Sequence, residues 1–89
     1  MLNQVLAGHR KLDESYGKDW IFDIDDSMDM KSVTNDVLAQ LYGSYDAGLD
    51  ELNLDEGETL GFCAMSDGDF PKLQKMQEDQ IDILRKERE

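Results

Sequence analysis

The stretch Ser32–Leu54, SVTNDVLAQLYGSYDAGLDELNL, limits the fold more than any other part of the chain. It has room for two helices and almost none for a connection between them. Ser32 has the side chain of an N-cap, whose hydroxyl accepts from an unpaired first-turn amide. Val33, Val37, Leu38, Leu41 and Tyr42 then fall on one face of a helix over 33–42. Gly43 is placed to end it in a left-handed conformation, and Ser44 can cap a second helix at once. In that second helix, 45–52, Tyr45, Gly48, Leu49 and Leu52 share a side, while Asp46, Asp50 and Glu51 point away. Asn53 tolerates positive φ, and Leu54 can fold back as the apolar contact of the cap. Two helices joined by so little chain must meet at a steep angle, forming a corner into which other elements dock. A DNA-reading helix-turn-helix also has a corner, but its second helix needs Lys and Arg where this one carries acids.

Two further helices flank the corner. Leu2, Val5, Leu6, His9 and Leu12 make the stripe of a first helix over 2–15, with Gly17 behind it and Trp20 anchoring the following turn. His9 sits on that stripe, as a hydrogen-bonded histidine at the core edge. The last helix spans 70–88, with Asp69 as N-cap and Pro71 in the first turn. Its inner stripe is Leu73, Met76, Gln77, Gln80, Ile81, Ile83 and Leu84, and its two glutamines imply partial burial. Arg85, Lys86 and Arg88 suit the negative end of the helix dipole. Such a helix overhangs a core this small, so its last turns should fray or pack on a second chain as a homodimer.

The connections are less regular. In WIFDIDDSMDM, residues 20–30, apolar and acidic residues alternate, giving a short strand or an extended loop with Phe22, Ile24, Met28 and Met30 inward. Residues 55–69 are rich in glycine and acids, with Leu60 and Phe62 docking inward and Asp67-Gly68 as a turn. Residues 60–63 could pair with 21–24 in a minimal two-stranded β ribbon. An EF-hand started at Asp23 fails at its two defining places, where Met28 replaces the glycine and Thr34 the bidentate glutamate. No lysine follows Gly57 or Gly61 to make a phosphate loop. Cys63 has no basic neighbour in sequence to activate it and reads as a buried small hydrophobe.

Charge is the strongest functional signal. The chain carries a formal −12 over 89 residues, and residues 19–69 hold fourteen acids against one base, Lys31. The termini are near neutral. Such a field repels nucleic acid and anionic membranes and attracts basic surfaces. A single cysteine precludes an internal disulfide. No apolar run is long enough to cross a bilayer, and MLNQVLAGHRKLDESY lacks the charged start and apolar block of a signal peptide. These features point to the cytoplasm.

Ala7-Gly8, Leu12-Asp13-Glu14, Trp20, Ile24-Asp25, Asp29-Met30, Gly61-Phe62 and above all VLxQLYGSYxxGLxxL over 37–52 resemble a family of small uncharacterised proteins from actinobacteria and their phages. That family has no assigned activity, so the resemblance transfers no catalytic residue. It implies a context, that of a phage or mobile-element accessory protein in a bacterial host cytoplasm. The chain departs from the family where one or two cysteines often precede the valine-leucine pair; here stand Asn35 and Asp36.

The expected fold is therefore one mainly α domain over 1–89, of about four helices, with the ribbon as an open alternative. Packed together should be Leu6, Leu12, Trp20, Leu38, Leu41, Tyr45, Leu49, Phe62, Leu73 and Ile81. The expected function is non-catalytic: no spacing of base, nucleophile or metal ligand is recognisable, and no cofactor is implied. The protein should bind a basic protein partner through Asp23, Asp25, Asp26, Asp29, Asp46, Asp50 and Glu51. Alternatives are a nucleic-acid mimic that inhibits a DNA-binding or defence protein, and a binder of small molecules or cations.

Overall fold

In the computed structural model the described residues are 1–32 and 34–89; Val33, expected at the head of a helical stripe, lies outside them. The chain is mainly helical. α1 spans Leu2–Ser15, α2 Val37–Tyr42, α3 Tyr45–Glu51 and α4 Phe70–Arg88. Short 3₁₀ turns occupy Lys18–Phe22, Glu58–Leu60 and Asp67–Asp69.

Two helices form in this stretch with Gly43 and Ser44 between them, as expected, with one shift. α2 begins at Val37, not near Ser32, because Asp36 is the residue that caps it: its carboxylate accepts from the Ala39 amide at 2.7 Å. Gly43 ends α2 at φ +96°, and the Ser44 hydroxyl accepts from Ala47 at 3.0 Å to start α3. Asn53 takes φ +57°, and the Leu54 amide returns to the Leu49 carbonyl at 2.9 Å, tying off α3. α2 and α3 cross where Gly48 has no side chain; a Cβ there would lie 2.6 Å from the Leu38 Cβ.

The core gathers Val5, Leu12, Trp20, Ile21, Val37, Leu38, Leu52, Phe62, Leu73 and Ile81, each almost fully buried. Of the residues expected there, Leu41 and Tyr45 are half-buried against it. Leu6 is half-buried too, and Val5, one position earlier on the same turn, takes the inner place.

Among the described residues there is no strand, so the ribbon is absent. The reason lies in the hydrogen bonding. The carbonyls of Ile21 and Ile24 accept from the Arg85 guanidinium of α4, Ile21 from Nε at 2.9 Å. The Phe62 amide closes back on the Gly57 carbonyl at 2.9 Å. Backbone groups that a ribbon would use are thus engaged elsewhere in both segments. The 3₁₀ turn also alters which side chains face inward: Trp20 and Ile21 are buried while Phe22 is 46% exposed. Ile24, Met28 and Met30 are buried as the alternation suggested.

The loop between this turn and α2 is fastened by side-chain amides. Gln74 of α4 donates to the Met28 carbonyl at 2.8 Å and accepts from the Met30 amide at 2.6 Å. Gln40 of α2 accepts from the Asp25 amide at 2.7 Å. The last turns of α4 are tied to the chain's own first helix and the turn after it. Arg88 makes a bidentate pair with Asp13 of α1 at 2.8 and 2.9 Å and donates to the Lys18 carbonyl. Burial pushes the Asp13 carboxyl up, but hydrogen bonds from Arg88 and Trp20 outweigh it and hold it below the usual carboxylate range.

The inner stripe of α4 is partly buried as its glutamines imply, with Met76, Gln80 and Leu84 half-buried and Ile83 47% exposed, but Gln77 itself is enclosed. Gln77 is fully buried because both ends of its amide are engaged: Nε2 donates to the Gly61 carbonyl at 2.8 Å, and Oε1 meets His9 Nε2 at 2.6 Å. That orientation requires His9 to donate from Nε2. Through these two bonds the Gln77 amide joins α1, α4 and the 57–62 segment.

Candidate functional site

Where the irregular segment after the 3₁₀ turn passes α4, a cleft of roughly 240 Å³ opens. Its floor is apolar, made by Ile24, Met28 and Ile81. Its rim is charged. Asp25 and Asp26 come from the loop, and Glu78 and Asp82, one turn apart, come from α4. Arg85 closes one side. Its guanidinium is held by two backbone carbonyls, so it fixes the wall and leaves the rim predominantly negative. The Ser27 hydroxyl and amide both donate to the Asp25 carboxylate and, with Gln40, hold it below the usual range, so it stays ionised into acid.

The seven acids expected to form a contact face are all exposed, but they are not brought together in this cleft. Only Asp25 and Asp26 line it. Asp23 accepts from the Tyr16 hydroxyl at 2.7 Å, outside the cleft. Asp29 caps its own turn, accepting from the Lys31 amide at 3.0 Å. Asp46, Asp50 and Glu51 lie on or at the end of α3. Conversely, Glu78 and Asp82 were not among the expected site residues. Their i, i+4 spacing, continued by Arg85, marks one stripe of α4, but nothing in that stripe reveals which loop lies against it.

The groups with intrinsic chemistry lie elsewhere. His9 is 3% exposed, with its ring 4.8 Å from that of Trp20 and its Nδ1 without a hydrogen-bond partner. Burial lowers its pKa below 6.5 against the opposing effect of Gln77. Cys63 is half-buried, not buried as expected. Burial and the nearby Glu58 push its thiol up, away from the reactive thiolate. Among the described residues no three His, Cys, Asp or Glu side chains converge to hold a metal ion, and no helix is long and apolar enough to cross a membrane.

Asp36 is the most perturbed carboxylate. It is 2% exposed, and burial pushes it up to about 6 against the amides of Ala39 and Leu38 that hold it down. The folded state therefore takes up a proton as pH falls through about 6, before the unfolded chain does near 3.8, and stability rises in that window. Asp36→Ser keeps an N-cap acceptor and removes the buried charge. It should be more stable than the parent at neutral pH by about 1–2 kcal/mol, with the gain vanishing below about pH 4. Urea denaturation at several pH values checks this; a parent chain whose advantage over the variant grows with pH contradicts it.

His9 acts in the opposite direction. Its folded pKa lies below 6.5, so from that pH downward the unfolded chain binds the proton first and stability falls. It is the sole histidine, and its ring resonances should titrate below 6.5 by NMR in the native chain and near 6.5 in denaturant.

Comparison with protein-family models, with curated proteins and with solved structures found no match to the chain.

Proposed function

We propose that this is a non-catalytic accessory protein that acts by binding a basic protein surface, with the cleft between residues 24–28 and α4 as the contact. The observation that carries the reading is the pairing of an apolar floor with a carboxylate rim at Asp25, Asp26, Glu78 and Asp82. A lysine or arginine side chain has the same two parts, an aliphatic stem and a cationic head. The charge of the central segment supports it in a second way, since a field of that size steers basic partners at long range. The family resemblance adds the setting of a phage-type protein in a bacterial cytoplasm.

Capture from a host lysate at low and high salt tests the reading. One variant carries Asp25→Asn, Asp26→Asn, Glu78→Gln and Asp82→Asn; a second carries Asp46→Asn, Asp50→Asn and Glu51→Gln. Both remove exposed charge. The first should lose the captured protein and the second should retain it. Equal retention by both would make the cleft a solvated surface, and equal loss would make net charge alone responsible.

A further inference from the structure

A second groove lies between the start of α1 and the first half of α4, and it differs in kind from the acidic cleft. Met1, Leu2, Pro71 and Met76 line it, with the stems of Lys72 and Lys75. Met1 and Leu2 are 41% and 43% exposed, in a chain that buries most of its large apolar side chains. The charged residues here are balanced, Lys72 and Lys75 against Asp69 and Asp79. Residues 19–69, by contrast, carry all of the chain's net excess of acid. Two copies of so acidic a chain repel over most of their surface, and this groove is a place where they can approach.

We propose that the groove seats a second copy of this chain, with α4 packed antiparallel to α4 of the partner about a two-fold axis passing near Lys75 and Met76. The order of charges along the helix argues for this occupant. Lys72 comes first, and Asp79 follows two turns later on the same stripe. An antiparallel partner reverses that order, so each Lys72 faces an Asp79 across the axis and the contact is made twice. The Met76 side chains and the lysine stems meet between the two ion pairs. Among the described residues the ion pairs are Arg88–Asp13 and the exposed Lys75–Asp79 contact at 3.6 Å, so Lys72 has no partner within its own chain. The stripe from Asp69 to Gln80 is only about 18 Å long. A contact of that length belongs at the small end of protein interfaces, and the dimer should be weak and concentration-dependent.

The test is sedimentation equilibrium of the full chain from micromolar to millimolar concentration, with Lys72→Glu, Asp79→Lys and the double exchange. The parent should pass from monomer to dimer. Each single reversal sets like charges against each other twice and should weaken dimerisation about tenfold, given the modest worth of exposed ion pairs. The double exchange restores opposite charges across the axis and should recover the dimer. Circular dichroism confirms that each variant keeps its helices, since all the substitutions are on the surface. A parent chain that stays monomeric throughout overturns the proposal. So does a dimer indifferent to either single reversal, or a double exchange that fails to recover.

Discussion

Phe62→Ala should destabilise the fold by about 3–5 kcal/mol, the range for emptying a fully buried aromatic site. Phe62 is 1% exposed and belongs to the segment that closes the core from the side of α1. Its amide is tied to the Gly57 carbonyl, and the preceding Gly61, at φ +74°, sits so close to α1 that a Cβ would lie 2.7 Å from the Val5 Cα. The Gly61 carbonyl is in turn held by Gln77. The peptide group that leads into Phe62 is thus held at both its carbonyl and its amide, and the surroundings can collapse little into the space the ring leaves. For a domain of this size the loss is a large share of total stability. Chemical denaturation should show a midpoint moved to much lower denaturant with an unchanged slope. A shift of less than about 1 kcal/mol would mean that 57–62 is a surface loop and not part of the core.

Gly8→Ala should destabilise by about 3 kcal/mol, at the upper end of overpacking effects. The sign is what makes this informative. Gly8 lies inside α1, where alanine is the better helix former by about 1 kcal/mol. Propensity alone therefore predicts a gain. The structure predicts the reverse, because a Cβ on Gly8 would stand 2.1 Å from the Leu60 carbonyl oxygen and 3.1 Å from the Phe62 ring. The first contact is with backbone, which cannot rotate aside. A stabilised Gly8→Ala variant would show that the Glu58–Leu60 turn does not rest on α1.

Much of the fold is legible in the sequence, and the failures have a common cause. α1 and α4 follow from apolar spacing and from local end signals, and the Gly43–Ser44 junction from residues whose conformational preferences are strong. All of these depend on neighbours in sequence. The start of α2 is not legible locally, because Ser32 and Asp36 both carry capping side chains and in the fold it is Asp36 that accepts from the first turn. The 20–30 segment alternates like a strand, yet its backbone is satisfied by Gln74, Arg85 and Gln40 from distant helices. A glutamine on an apolar stripe signals partial exposure, and this holds for Gln80 but not for Gln77. It is buried because His9 and Gly61, far away in sequence, satisfy its amide.

The same division governs the candidate site. That the central segment is acidic needs no structure. Which acids share a cleft does: Asp25 and Asp26 join Glu78 and Asp82, while Asp46, Asp50 and Glu51 remain on their own side of the corner helices or at their end. Glu78 and Asp82 do not stand out in the sequence because residues 70–89 are charge-balanced overall, which hides a local acidic stripe.

The most direct test of the account is a titration of the native chain with a lysine-rich peptide, followed residue by residue through backbone amide shifts. Any chain with this net charge will attract such a peptide, so affinity alone decides nothing. Position does. The account predicts that the shifts remaining at physiological salt concentrate on Ile24–Met28 and on Glu78, Ile81, Asp82 and Arg85, and that they disappear in the variant with the four rim carboxylates neutralised. Shifts spread evenly over the acids of residues 19–69, or centred on Asp46, Asp50 and Glu51, would contradict it.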